Sequence, residues 1–134
     1  MDTSQRVQIV YVEDEPFFSK AISRLFAEAG YATAVAEDGT SGLALIKKEK
    51  PDVVLLDLIL PNVDGKEVLR QLKADADTKD IPVIILSNLS AEAEQRELYA
   101  LGAADFLVKA MTLPSEIVRK VRARLEATAR HATR

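Results

Sequence analysis

The sequence predicts an α/β fold in which a five-stranded parallel sheet is covered by helices on both faces. Two observations predict it. Short apolar runs alternate five times with segments of helical periodicity. The runs are also apolar at nearly every position, as in Val53-Val54-Leu55-Leu56, rather than at every second one. Strands joined through helices run parallel, and a strand apolar on both faces is buried on both. A third observation bears on function: four of the five runs end in polar residues that a core would not select.

Each element follows from local pattern. Val7 to Val12 is the first strand. From Pro16 to Glu28, the residues Phe18, Ala21, Ile22, Leu25 and Phe26 recur at helical spacing, with Ala29 continuing the face and Gly30 placed to end the helix. Ala32 to Ala36 is a short, weak strand. Asp38-Gly39 is a turn, and Thr40 to Lys48 is a helix with Leu43 and Ile46 inward. Val53 to Leu56 is a strand because the run is short, β-rich and preceded by the Lys50-Pro51-Asp52 break. A helix runs from Gly65 or Lys66 to Leu72 or Lys73, and Asp75 to Asp80 is a polar loop. Ile81 to Leu86 is the fourth strand. Ser90 to Leu101 is a helix with Ser90 as cap and early acids that suit the helix dipole, stopped by Gly102. Asp105 to Val108 is the fifth strand. Ser115 to Ala127 is the last helix, with Ile117, Val118, Val121 and Leu125 inward.

Bulk properties exclude several classes of chemistry. A chain of 134 residues with 48% apolar and 29% charged residues suits one globular domain, with a core over about 7–127 and a basic tail at 128–134. The net charge of -3 gives no general reason for contact with nucleic acid or membrane. The absence of cysteine removes disulfides, thiolate catalysis and cysteine–zinc sites. The single histidine, His131, argues against a histidine metal cluster and a Ser-His-Asp triad. The N-terminal stretch MDTSQRVQIVYVEDEP has no signal-peptide apolar region, and no window approaches the ~18 apolar residues of a membrane span. The expected compartment is the cytoplasm.

The polar strand ends are Glu13-Asp14-Glu15, Asp57, Ser87-Asn88 and Lys109. All are C-terminal ends, where open parallel sheets bind ligands at the point of strand-order reversal. If the order is the flavodoxin-like 2-1-3-4-5, strands one and three are neighbours there, and Glu13, Asp14 and Asp57 would converge. Three clustered carboxylates repel unless protonated or neutralised by a cation. Oxygen-only donors suit Mg²⁺. Lys109 adds a second cation and Ser87 a neutral hydroxyl. That equipment suits phosphoryl transfer, where catalysis is mostly positioning and charge neutralisation, with Asp57 as the nucleophile that forms an aspartyl-phosphate.

These residues carry a family resemblance. VEDEP at 12–16, LLDLILPNVDG at 55–65, VIILSN at 83–88 and GAADFLVK at 102–109 make the chain resemble the receiver domain of bacterial two-component response regulators, of the single-domain, CheY-like kind. The resemblance spans roughly Val7 to Ala127. It implies a flavodoxin-like (βα)5 three-layer sandwich. Glu13 and Asp14 match the acidic pair that holds Mg²⁺ together with Asp57, and the backbone carbonyl of Ile59 matches a further ligand. Asp57 matches the phosphoacceptor served by a sensor histidine kinase or histidine phosphotransfer protein. Ser87 and Phe106 match the switch pair, Lys109 the lysine that pairs with the phosphoryl group, and Pro61 and Gly65 the loop after the acceptor. The implied output is a changed surface on the last two helices and the last strand. That surface would control a downstream protein or output domain and could form a homodimer, with no direct nucleic-acid or membrane partner.

Three positions depart from the family pattern. Ala110 stands where proline is usual, often after a cis peptide; a cis bond before alanine costs about 3 kcal/mol. Asn88 stands where a small residue is common, and would either narrow the approach to Asp57 or hydrogen-bond the phosphoryl group. Phe106 replaces a more usual tyrosine. Ile59 and Leu89 flank the site with apolar side chains and are expected to hinder attacking water, making a phosphorylated state long-lived.

Other readings are weaker. A phosphatase of the haloacid-dehalogenase type needs a second Asp two residues after the nucleophile, where Ile59 stands. The alternative within the family is a degenerate receiver that binds a protein without phosphorylation; the intact set Glu13, Asp14, Asp57, Ser87 and Lys109 argues against it. Glu15 reads as a helix N-terminal acid, Asp64-Gly65 as turn and cap. Arg119, Lys120, Arg122, Arg124 and Arg130 read as a solvated helix face. No output domain follows Ala127, so the chain is expected to be a stand-alone receiver or a piece of a longer regulator.

Overall fold

A computed structural model of the protein describes residues 6–88 and 91–132, with side chains described through residue 127. In chain order the elements are β1 (Ile9–Val12), α1 (Pro16–Glu28), β2 (Thr33–Ala36), α2 (Gly39–Glu49), β3 (Val53–Leu56), α3 (Gly65–Ala74), β4 (Val83–Ser87), α4 (Glu92–Ala100), β5 (Asp105–Val108), a 3-10 turn (Lys109–Met111) and α5 (Pro114–Ala132). The five strands are parallel in the order β2-β1-β3-β4-β5. This is the flavodoxin-like arrangement that the family resemblance implies; the alternation of strand and helix patterns predicts the parallel sheet.

The sheet divides two cores. Val10, Val12, Val54, Leu56, Val83 and Ile85 face Ile46 of α2, Val68, Leu69 and Leu72 of α3 and Leu98 of α4. Ile9, Tyr11, Val53, Leu55, Ile84 and Leu86 face Ile22 and Phe26 of α1 and Ile117, Val118, Val121 and Leu125 of α5. Full burial on both faces explains why the strands lack polar alternation.

The same period-two rule aims the strand ends. Positions 9 and 11, 53 and 55, and 107 belong to the α1/α5 face, so residues 13, 57 and 109 continue on that face. The register pairs Val12 with Leu56, and the Asp57 amide donates to the Val12 carbonyl at 3.1 Å. Glu13 and Asp57 therefore leave adjacent strands side by side, where the chain has crossed from β2 at one edge to β3 on the other side of β1. That is the topological switch point.

The loop after Asp57 is set by backbone proximity. The Gly65 amide donates to the Leu58 carbonyl at 2.8 Å. A Cβ on Gly65 would fall 2.2 Å from the Asp57 carbonyl oxygen and 2.6 Å from the Leu58 Cα. Asp64 caps α3, accepting from the Glu67 amide at 2.9 Å. Beside the same loop, where the Gly39 amide donates to the Pro61 carbonyl at 3.3 Å, Asp38 caps α2 through the Ser41 amide at 2.7 Å, and that bond holds its carboxyl below the ordinary value.

Several boundaries differ from the sequence expectation. β1 starts at Ile9 rather than Val7. β4 starts at Val83 rather than Ile81, because the Ile81 amide closes a turn on the Thr78 carbonyl and Pro82 has no amide to donate. The helix expected over 90–101 is α4 at Glu92–Ala100, with Ala91 at its N-cap; the expected cap, Ser90, lies outside the described residues. α5 starts at Pro114, one residue before the expected Ser115, and the Glu116 carboxylate reaches back to the Leu113 amide at 3.0 Å. It runs to Ala132, past the last inward apolar residue, Leu125.

Arg124 corrects the reading of a uniformly solvated basic face. Its guanidinium pairs with Asp105 of β5 at 3.1 Å and donates to the Ala104 carbonyl at 3.0 Å. α4 is held differently: it buries Leu98, while Lys66 of α3 reaches Glu94 at 3.7 Å and Glu97 at 3.0 Å.

Gly65→Ala is expected to lower stability by about 1–3 kcal/mol, because the added methyl meets backbone rather than a movable side chain. Urea denaturation would show a lower midpoint at unchanged slope. An unaltered midpoint would contradict the close approach.

Candidate functional site

Lys109 is the centre of the site. Its ammonium lies 2.8 Å from Glu13 Oε1 and 3.2 Å from Asp57 Oδ2. The Glu13 side chain is fully buried and that of Asp57 nearly so. The Phe18 ring lies beneath the same ammonium, 4.8 Å away at its centroid, a cation–π contact from the first turn of α1. One carboxylate oxygen from each of Glu13, Asp14 and Asp57 falls within 4.8 Å of the others, with Asp14 exposed.

Glu13 is held on both oxygens. Tyr11 donates its hydroxyl to Oε1 at 3.1 Å, sharing that oxygen with Lys109, and the Glu15 amide donates to Oε2 at 3.2 Å. Asp57 accepts from the Ile59 amide at 3.3 Å through its other oxygen. Glu15 itself sits at the N-cap of α1, without a side-chain capping bond.

The electrostatics follow from burial and mutual charge. Burial raises the Glu13 carboxyl above its ordinary value; the Lys109 hydrogen bond opposes this, the Asp57 charge adds to it, and the net direction is up. Burial pulls the Lys109 ammonium down, but the hydrogen bond to Glu13 and the charges of Asp57 and Glu13 outweigh it, and the net direction is also up. Burial, then the charge of Glu13, pushes the Tyr11 hydroxyl far above its usual range, so it remains a neutral donor. A single lysine thus faces two buried carboxylates and an exposed third. The donor set is all oxygen and carries excess negative charge, which fits a hard divalent cation.

The remaining candidates lie around this centre. Ser87 is fully buried at the end of β4, opposite Val108 in the register. Phe106 is half-buried in the α2/α3/α4 core, opposite Ile85. Residues 85 and 87 share a sheet face, so Ser87 and Phe106 lie along one face of the β4–β5 pair. Asn88 accepts a hydrogen bond from the Ala110 amide at 2.8 Å. The described residues contain no cis peptide, so Lys109-Ala110 is trans. The Ile59 side chain is exposed; Leu89 lies outside the described residues.

Two residues were not singled out in the sequence. Tyr11 read only as part of a buried strand, although its spacing of two from Glu13 puts both on one face. Phe18 read only as core helix. No sequence pattern signals its ring beneath Lys109.

An acidic crevice at the switch point of a doubly wound sheet, closed by a lysine just beyond the last strand, defines a class of α/β domain. The comparisons with known proteins narrow it. The family profile "Response regulator receiver domain" matches residues 9–122. The chain belongs to this family of two-component response regulators. It is 37% identical over 123 residues to the "DNA-binding dual master transcriptional regulator RpaA" of Synechocystis sp., covering 92% of this chain and 51% of that protein. It is 37% identical over 102 residues to "Protein PilH" of Pseudomonas aeruginosa, covering 76% of this chain and 84% of that protein. The chain thus spans about half the length of RpaA and most of PilH. The solved structure of the Mn²⁺-bound form of response regulator Rcp1 superposes with a TM-score of 0.75 at 27% identity, covering 86% of this chain and 91% of that one.

Lys109→Met leaves two buried carboxylates facing each other. In metal-free buffer at pH 8 it is expected to cost roughly 3 kcal/mol, the scale for removing one partner of a buried pair. Glu13, raised above its ordinary value, binds its proton more tightly folded than unfolded. Its contribution is therefore fully present below the unfolded value of 4.5 and is lost as pH rises through the folded value. Lys109 holds the Glu13 carboxyl down, so its removal lets that carboxyl rise further, and the cost of Lys109→Met should be smaller at pH 5, where Glu13 can take up a proton, than at pH 8. Urea titrations at the two pH values check this, and equal losses would contradict the pairing.

Proposed function

We propose that the protein is a phosphorylation-controlled switch in which Asp57 accepts a phosphoryl group from a sensor histidine kinase or histidine phosphotransfer protein, in a Mg²⁺-dependent reaction. The observation that carries this reading is the Lys109 ammonium bridging Glu13 and Asp57 at 2.8 and 3.2 Å, beside the exposed carboxylate of Asp14. Members of the family act as signalling switches rather than metabolic enzymes, and the chemistry proposed here is confined to the protein's own phosphorylation and dephosphorylation.

A carboxylate oxygen of Asp57 attacks the phosphorus of the phosphohistidine donor. The new P–O bond forms as the P–N bond breaks, and the departing imidazole keeps the electron pair. The product is an acyl phosphate on Asp57. Glu13, Asp14 and Asp57 would hold the Mg²⁺ with the Ile59 backbone carbonyl; when bound, the ion neutralises charge on the incoming phosphoryl oxygens. Lys109 stays protonated and pairs with the same oxygens. Ser87, two residues beyond Ile85 at the end of β4, offers its hydroxyl to the phosphoryl group. Phe106 then follows along the shared face, altering the α4–β5–α5 surface that contacts a downstream protein, an output domain or a second copy.

The mouth of the site supports docking of a protein donor. Phe17, Ile59, Met111 and Leu113 are large apolar residues left exposed, and the first three lie within three residues of Asp14, Asp57 and Lys109. Among the described residues, no helix is long and apolar enough to cross a membrane.

The protein incubated with Mg²⁺ and a small phosphodonor such as acetyl phosphate is expected to gain the mass of one phosphoryl group, seen by intact mass spectrometry. Asp57→Asn and metal-free samples should gain none. No gain from small donors or from a cognate kinase would instead favour a protein-binding module that works without phosphorylation.

A further inference from the structure

We propose that Asn88 is a positioning residue for Lys109, acting through the backbone amide of Ala110. The proposal rests on the reading of Asp57 as phosphoacceptor and deepens it by naming a residue that holds the lysine in place.

The turn after β5 opens with an orphan donor. β5 ends at Val108, and the chain turns at once into the 3-10 turn Lys109–Met111. The first amides of any helical turn have no acceptor within it. The Val108 cap position supplies no side-chain capping bond. The Ala110 amide is instead satisfied from another loop, by Asn88 Oδ1 at 2.8 Å. Asn88 caps this turn across 22 residues of sequence.

The position of the bond gives it a role. Asn88 directly follows Ser87, and Ala110 directly follows Lys109. Ser87 and Val108 are partners in the β4–β5 register, so the bond is the next tie beyond the end of the paired strands. On the other side of the turn, the Thr112 hydroxyl donates to the Val108 carbonyl at 2.8 Å. The Lys109 backbone lies between these ties, and from it the side chain spans to Glu13 and Asp57. A lysine side chain is long and rotamer-rich, so its reach depends on where its backbone is fixed.

Two other roles for Asn88 predict different behaviour. If Asn88 narrows the approach to Asp57, trimming it opens the site and speeds phosphorylation. If it hydrogen-bonds the phosphoryl group, its loss slows the reaction whatever residue stands at 110. The latch predicts slowing that depends on the Ala110 amide.

The test measures phosphorylation rate with acetyl phosphate and Mg²⁺, alongside amide hydrogen exchange at Ala110 by NMR. Asn88→Ala and Asn88→Leu both remove the acceptor, the second while keeping similar bulk. Both should slow phosphorylation, on the order of 3- to 10-fold, the scale of a modest misplacement, and both should speed exchange at Ala110. Ala110→Pro removes the donor itself, and adding Asn88→Ala to it should change the rate no further. Faster phosphorylation in Asn88→Ala, equal slowing in both backgrounds, or unchanged Ala110 exchange would each overturn the proposal. A wild-type protein that takes up no phosphoryl group would remove the underlying reading of Asp57. The exchange measurement separates that failure from absence of the bond.

Discussion

The site depends on one ammonium group placed between two buried carboxylates. Glu13 and Asp57 leave adjacent strands with side chains removed from water, an arrangement that repels itself. Lys109 makes it tolerable by contacting both. A buried charge pair of this kind contributes little net stability, yet removing one partner is costly. The fold therefore holds an electrostatic balance with slack on the negative side: one lysine against three carboxylates. The excess is what makes the crevice receptive to a further cation. Tyr11 and the Glu15 amide then fix Glu13 so that the balance is struck in one geometry.

Everything else about the sheet serves that placement. Period-two alternation carries Glu13, Asp57 and Lys109 to the α1/α5 face, because residues 11, 55 and 107 already point there. The parallel register puts Val12 beside Leu56, so the two acids emerge level. The loop beyond Asp57 folds tightly onto α3, where only a hydrogen fits at Gly65. A shift of one residue in either register would send a carboxylate to the opposite core.

Much of this was legible in the sequence, for a physical reason. Continuous apolar runs such as Val53 to Leu56 mark strands buried on both faces, and a carboxylate at the end of such a run is costly to bury unless something pairs with it. Fold class followed from pattern; strand order, and with it the convergence of Glu13, Asp14 and Asp57, came with the family resemblance. Helix ends were harder. α4 has few apolar positions, and its capping residue lies outside those described. Arg124 looked like one member of a basic stripe, because periodicity does not reveal that Asp105 on β5 lies within reach. The Asn88–Ala110 bond was invisible for a similar reason. The sequence flagged both residues as departures, but only the approach of two loops makes them partners.

The attachment of α4 has a separate consequence. This helix buries Leu98, whereas α3 buries Val68, Leu69 and Leu72 as well as Gly65. Much of what joins α4 to α3 is Lys66 shared between Glu94 and Glu97, in partly exposed side chains. Contacts of that kind are screened by dissolved ions over a distance of about 8–10 Å under ordinary conditions, whereas buried apolar packing is not. The fold is thus anchored unevenly: α5 buries Ile117, Val118, Val121 and Leu125, whereas α4 buries Leu98 beside a cluster of partly exposed ion pairs. Dissolved salt therefore reaches the charged part of α4's seating and the Arg124–Asp105 pair of α5 in the proposed output face, and leaves the apolar packing beneath Asp57 untouched.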